Sequence, residues 1–134
     1  MRRSCKTRDI LYYQNGNMKY KGQVSNGKMH GIGTTYRSDG SKHYHGKLHF
    51  GVKFGKGTLY YKNGNKMYVG DFAYNKPNGV GKYYSSNNKL LYKGQYRNGL
   101  RHGVGTAYVN GKVIHGFFEN NRLLYKFQAT AKAA

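Results

Sequence analysis

Residues 68–84 read Tyr68-Val69-Gly70-Asp71-Phe72-Ala73-Tyr74-Asn75-Lys76-Pro77-Asn78-Gly79-Val80-Gly81-Lys82-Tyr83-Tyr84. The stretch opens on a tyrosine. Glycine stands two positions on, an aromatic ring four positions on, and a Gly-x-Gly pair at eleven and thirteen. Alternate residues of a β-strand share a face, so Tyr68, Gly70 and Phe72 should lie on one side. Working outward, Tyr20, Tyr44 and Tyr92 fall into step with Tyr68 at intervals of 24 residues, and Ile114 follows Tyr92 after 22.

With each of these as position zero, position +2 is Gly22, Gly46, Gly70, Gly94 and Gly116. Position +4 is Val24, Leu48, Phe72, Tyr96 and Phe118. Position +11 is Gly31, Gly55, Gly79 and Gly103, and position +13 is Gly33, Gly57, Gly81 and Gly105. Position +16 is Tyr36, Tyr60, Tyr84 and Tyr108. Position +7 holds Gly27, Gly51 and Gly99, with Asn75 and Asn121 as exceptions. The +20 slot takes Gly40, Gly64 and Asn88, with Gly111 one residue early and Gly16 in a partial upstream unit. All 20 glycines of the chain are then placed, which a merely glycine-rich chain would not allow. A fixed period of this length marks a repeat architecture. Asn15-Gly16, Asn26-Gly27, Asp39-Gly40, Asn63-Gly64, Asn98-Gly99 and Asn110-Gly111 fall at turn slots, the strongest short-range signal of hairpins.

Each unit therefore predicts a β-hairpin whose turn lies at +7 to +10. Strands are expected near 11–14, 18–24, 32–37, 42–48, 56–62, 66–73, 80–85, 90–97, 104–109, 112–118 and 122–127. Glycine inside a strand is a weakness unless something approaches closely. We expect tyrosine and phenylalanine of one hairpin to lie over the Gly-x-Gly of a neighbour.

Tyr20-Lys21-Gly22…His30-Gly31-Ile32-Gly33, Tyr44-His45-Gly46…Gly55-Lys56-Gly57, Tyr68-Val69-Gly70-Asp71-Phe72…Asn78-Gly79-Val80-Gly81 and Tyr92-Lys93-Gly94-Gln95-Tyr96…His102-Gly103-Val104-Gly105 resemble the MORN (membrane occupation and recognition nexus) repeat. The resemblance covers roughly residues 11–127. It implies an all-β fold: one elongated, twisted single-layer antiparallel sheet of tandem hairpins with capping ends and no central globular core. The expected divisions are a basic tail at 1–9, the array at 10–118 with a partial unit at 11–19, and a cap and tail at 119–134. In the cap, Tyr125 and Phe127 occupy the two glycine slots of the fifth unit, so the segment is read as a closing strand or a short helix.

Composition agrees. Apolar residues at 37% are few for one large globular core, while aromatics at 16% exceed what disordered segments carry. No apolar run approaches the length of a membrane span, and no apolar segment follows the basic N-terminus as in a secretory signal. The single Cys5 allows no internal disulfide. An intracellular, cytoplasmic setting is expected, with peripheral membrane attachment or a virion as alternatives. Cys5, among Arg2, Arg3, Lys6 and Arg8, reads as a plain thiol rather than an acylation site.

No catalytic, metal or cofactor site is expected. The acids are only Asp9, Asp39, Asp71 and Glu119, none near another in sequence, and no nucleophile has a recognisable base. His43, His45 and His49 share one strand parity but have no cysteine or carboxylate beside them, so they fall short of a zinc set. His30 and His102, both at +10, read as structural. The Gly-x-Gly pairs lack the helix start that a phosphate loop requires.

The charge is the functional clue. With 24 Lys+Arg against 4 Asp+Glu the formal charge is +20, and such self-repulsion asks for an anionic partner. Positions +1 and +3 point away from the Tyr/Gly face. An anion-binding stripe is expected from Lys21, His45, Lys47, Lys93 and His115, joined by Lys53 and Arg101 from the turns. A partner groove is expected from Tyr36, Tyr60, Phe72, Tyr84, Tyr96 and Tyr108. MORN-family proteins are associated with protein scaffolding and with phospholipid binding. The resemblance thus implies a non-enzymatic scaffold, a small basic component of a cytoskeletal, ciliary or virion assembly. It would dock other proteins and an anionic surface, and act on no small-molecule substrate. The alternatives are a nucleic-acid-binding packing protein and a peripheral binder of anionic phospholipid, and self-association stays open.

Overall fold

The computed structural model describes residues 7–128. They form eleven strands: β1 (Thr7–Tyr12), β2 (Met18–Ser25), β3 (Lys28–Tyr36), β4 (Lys42–His49), β5 (Val52–Tyr60), β6 (Lys66–Ala73), β7 (Lys76–Tyr84), β8 (Leu90–Arg97), β9 (Leu100–Val109), β10 (Lys112–Glu119) and β11 (Arg122–Lys126). They lie in chain order in one antiparallel sheet, and the described residues contain no helix. The repeat fold expected from the sequence is present. The cap resolves as the closing strand β11, whereas Cys5 and most of the basic tail lie outside the described residues.

Two boundaries differ from expectation. Residues 7–9 belong to β1 rather than to a tail. The second strand of each hairpin starts four residues early, at Lys28, Val52, Lys76 and Leu100. The cause is the turn, which is only two residues long: Asn26-Gly27, Phe50-Gly51, Tyr74-Asn75 and Asn98-Gly99. Both central residues have positive φ, 52° and 76° in the first. That backbone matches the twist of the flanking strands. The surplus residues go into a bulge. Gly22 pairs with Gly33 but Val24 pairs with Met29, so four steps on β3 oppose two on β2. Gly31, at φ 101°, absorbs the bend.

Hairpins are joined by longer turns such as Arg37–Ser41, closed by the Arg37 amide on the Ser41 carbonyl at 2.8 Å. After β9 the tight pair Asn110-Gly111 replaces this turn, and β9 has ten residues where β3, β5 and β7 have nine. Together these changes shorten the fourth unit.

One glycine column crosses the sheet: Gly22, Gly33, Gly46, Gly57, Gly70, Gly81, Gly94, Gly105 and Gly116 are successive partners from β2 to β10. Tyr20, Tyr44, Tyr68 and Tyr92 lie over it and are completely buried. Each covers the glycines of its own hairpin, Tyr20 over Gly22 and Gly33, rather than those of a neighbour as expected. The reason is the register, which sets Tyr20 and Gly33 on adjoining strands two residues apart. Each hydroxyl donates to a carbonyl three residues on: Gln23 (2.5 Å), Lys47 (2.6 Å), Asp71 (2.8 Å) and Gln95 (2.9 Å).

The +4 side chains link the units. Tyr44, Phe72, Tyr68, Tyr96, Tyr92 and Phe118 form an unbroken edge-to-face series with centroids 5.1–5.3 Å apart. Each such pair contributes about 0.5–1.5 kcal/mol beyond its burial. The core is thus a line of rings, and it ends in the aliphatic Leu48 and Val24 towards β2.

Side chains also staple each hairpin to the next along the short-turn edge, and the direction alternates. His30 accepts from the Phe50 amide (3.1 Å) and Asn78 from the Asn98 amide (2.9 Å). At the other two seams Asn75 accepts from the Lys53 amide (2.9 Å) and Asn121 from the Arg101 amide (3.0 Å). The asparagines that break the +7 glycine pattern are therefore cross-links. On the opposite edge Tyr13, Arg37 and Tyr61 donate to the carbonyls of Tyr36, Tyr60 and Tyr84, at 2.6, 2.6 and 2.7 Å.

Candidate functional site

The sheet has a ring face, carrying the tyrosine line, and an outer face. Alternation along the first strand of each hairpin puts Lys21, His45, Lys47, Lys93 and His115 on the outer face, and all five are exposed. The row is interrupted by Val69 and Asp71 at the same positions in the third unit. His45 and His115 are tied through Nδ1 to the hydroxyls of Thr34 (2.7 Å) and Thr106 (2.8 Å) on the neighbouring strand. Gln23, Asp71 and Gln95 bend over the bulge and accept from the amides of Ile32 (2.6 Å), Val80 (3.0 Å) and Val104 (2.7 Å). Lys47 is their counterpart in the second unit. It has only donors, and its stem packs over Gly55.

Lys53 and Arg101 do not join this stripe. Position +9 lies inside the second strand, where Lys53 pairs with Leu48 and Arg101 with Tyr96, both residues of the ring-face core. There the Lys53 ammonium stands 5.6 Å from the Tyr44 ring centre, and the Arg101 guanidinium 5.5 and 5.3 Å from those of Tyr92 and Phe118. Burial lowers the Lys53 pKa. Arg101 Nη2 also donates to the Asn121 carbonyl at 2.9 Å.

The six residues expected to form a groove do not share one: Tyr36, Tyr84 and Tyr96 line three separate depressions. Phe72 and Tyr96, at 3% and 9% exposure, are links in the ring series. Tyr36, Tyr60 and Tyr108 are half-buried, and Lys42 lies 4.8 Å over the Tyr60 ring. Tyr84 lines a separate depression on the outer face, with Lys82, Lys93, Val80 and Val104. A different cleft of about 420 Å³ opens on the ring face between Tyr68, Tyr83, Tyr92, Pro77 and Arg101, and Tyr96, one of the expected groove residues, lines it.

The sequence reading also passed over an aromatic patch on the short-turn edge. Phe50 and Tyr74 take the first turn position, at φ 45° and 50°, where the other tight turns place asparagine. Bulky residues rarely adopt this conformation. Both rings are exposed, and Phe54 lies 5.3 Å from Tyr74. The signal was available, since Phe50 and Tyr74 replace asparagine in the aligned units. His30 and His49 pack on Phe50, with ring centres 4.2 and 4.9 Å away. His43 is half-buried away from them, its pKa lowered by burial and then by Lys53 and Arg37. Among the described residues no three His, Cys, Asp or Glu could hold a metal.

Only two ion pairs form among the described residues, Lys56–Asp71 (2.6 Å) and Lys62–Asp39 (3.2 Å). Asp39 is pulled down to about 2, first by hydrogen bonds from Ser41 and then by Lys62. Most of the cations among the described residues thus have no carboxylate partner.

Four segments, residues 20–42, 44–66, 68–89 and 92–113, match the MORN repeat. They cover well over half of the chain, and the protein belongs to the MORN repeat family. No curated protein matches it. MORN repeats are interaction scaffolds that generally mediate protein or membrane contacts and are generally non-catalytic. Among the described residues no helix is long and apolar enough to cross a membrane.

Proposed function

We propose that this chain is a non-enzymatic scaffold that docks a protein partner and settles against an anionic surface, as a small basic component of a larger assembly. The observation that carries the reading is the unpaired cation excess: 24 Lys+Arg stand against 4 Asp+Glu, and Asp39 and Asp71 are already engaged by Lys62 and Lys56. Exposed cations accelerate encounter with an acidic partner and make it sensitive to salt. The test is association of the full chain with a purified candidate partner at low and moderate salt, with and without nuclease. Binding that survives nuclease and slows in Lys21→Gln/Lys47→Gln/Lys93→Gln supports the scaffold. Loss of all binding on nuclease treatment indicates a nucleic-acid packing protein instead. Contact with roughly six phosphates would then give a slope of about −5 in log K against log[salt].

A second reading, peripheral contact with anionic lipid, is favoured by the exposed turn-tip rings Phe50 and Tyr74 beside Phe54. Under it, Phe50→Asn/Tyr74→Asn loses binding to phosphatidylserine vesicles while staying folded. Unchanged vesicle binding in that variant removes this reading.

A further inference from the structure

Strands β6 to β9 frame a shallow groove of about 610 Å³ on the outer face. Lys66, Lys82 and Lys93 line it together with Val69, Val80 and Val104, and no carboxylate is among its lining residues. Asp71, on the same stretch of β6, is held by Lys56 at 2.6 Å. Lys82 and Lys93 are direct partners on β7 and β8. Like charges so placed repel and weaken the sheet unless something offsets them.

The registers order the groove into two rows. Val69 pairs with Lys82, Lys82 with Lys93, and Lys93 with Thr106, which draws one row across four strands. Val80 and Val104 stand two residues away along β7 and β9, at 57% and 52% exposure, and form the second row with Gln95 of β8 between them. Gly81, Gly94 and Gly105 run between the rows as a floor without side chains. A row centred on two lysines and a row carrying two exposed valines therefore face each other about 7 Å apart.

We propose that this groove binds an acidic amphipathic helix of a partner protein. The inference rests on the scaffold reading and names the chemistry of its protein partner. A helix laid across the strands repeats every 5.4 Å, close to the strand spacing of about 4.8 Å. Carboxylates one turn apart then meet Lys82 and Lys93 in succession, while aliphatic side chains on the same helix cover Val80 and Val104. Nucleic acid would meet the lysines but leave the valines uncovered, and it would find one tyrosine, Tyr84, rather than a series of stacking rings.

The probe is a fluorescent helical peptide of about 18 residues, above the length at which isolated helices become marginal. It carries glutamate and leucine in adjacent stripes. The comparison ligands are the same peptide with serine for leucine, an oligothymidylate, and phosphatidylserine vesicles, all with the full chain at low salt. The Glu/Leu peptide should bind saturably and more tightly than the Glu/Ser peptide. Lys82→Gln/Lys93→Gln should weaken it about tenfold, through faster dissociation. Val80→Ser/Val104→Ser should weaken the Glu/Leu peptide and leave the Glu/Ser peptide unchanged. Lys28→Gln/Lys112→Gln, both exposed and outside the groove, should change binding less than twofold, and thermal melts verify that every variant is folded. Equal binding of the two peptides overturns the groove, as does equal sensitivity to the two lysine pairs or displacement of the peptide by oligothymidylate. Such results leave a general cationic surface for anionic partners standing. If the peptides, the oligonucleotide and the vesicles all fail to bind, the scaffold reading falls with it.

Discussion

Tyr44 lies across Gly57 of its own hairpin, and its hydroxyl passes over the glycine to the carbonyl of Lys47 at 2.6 Å. A β-carbon on Gly57 would overlap the ring, and one on Gly46 would fall 2.5 Å from the Gly57 α-carbon. The tyrosine and the bare backbone beneath it are one packing unit, repeated by Tyr20, Tyr68 and Tyr92 over Gly33, Gly81 and Gly105.

Substitution at this column should therefore be costly. Gly57→Val and Gly81→Val are expected to destabilise by about 3 kcal/mol, the upper end for overpacking, because backbone lies on the far side and cannot yield. Gly27→Asn should change stability by less than about 0.5 kcal/mol. Gly27 has nothing within 4 Å of its would-be β-carbon, and asparagine already occupies the matching position at Asn75 and Asn121. Denaturant melts compare the three. Equal losses at Gly27 and Gly57 would contradict the packing.

Lys47→Gln should stabilise the protein. Gln23, Asp71 and Gln95 accept an amide proton at the bulge of their own hairpins, whereas Lys47 can only donate. A new acceptor in the second unit is worth about 0.5–1.5 kcal/mol. A raised melting temperature in Lys47→Gln, absent in Lys47→Met, is the expected result. An equal change in both variants would assign the effect to removal of charge.

Alkaline pH should unfold the chain cooperatively. Burial raises the pKa values of Tyr20, Tyr44, Tyr68, Tyr92 and Tyr96 above the usual 10. In the unfolded chain the same phenols ionise near 10. Their contribution is complete below pH 10 and is lost as pH rises through 10 towards the higher folded values. Phenolate absorbance and loss of the sheet signal should then appear together. Titration of every tyrosine with the sheet intact would refute this. At the acid end the sign reverses for His43, whose lowered pKa removes stability as pH falls below 6.5.

The strands and the glycine column follow from spacing, because period-two alternation and the 24-residue step are properties of the chain itself. The face of a residue next to a turn is not. Lys53 and Arg101 are expected on the outer stripe as turn residues, yet the turns are only two residues long, so both fall within strands, where they pair with the core residues Leu48 and Tyr96 on the ring face. Nor does spacing tell an open ring from a covered one. Tyr96 meets solvent or Tyr68 according to the rotation of one hairpin against the next, and here it meets Tyr68 at 5.2 Å. Two of the four tight turns also lack the local signal. Phe50 and Tyr74 stand at a conformation that residue preferences would assign to asparagine.

The alternating staples along the short-turn edge limit how an array like this can change length. His30 and Asn78 reach forward to a hairpin whose +7 residue is glycine, while Asn75 and Asn121 reach back from theirs. Excise the single unit that starts at Tyr68, and Phe54 would meet Gly99, a junction with no side-chain acceptor from either side. Excise the units starting at Tyr44 and Tyr68 together, and His30 would meet Gly99, restoring the forward arrangement. At this point of the array, loss of a pair of hairpins, twice the period that the sequence displays, keeps a stapled junction where loss of the single unit starting at Tyr68 does not.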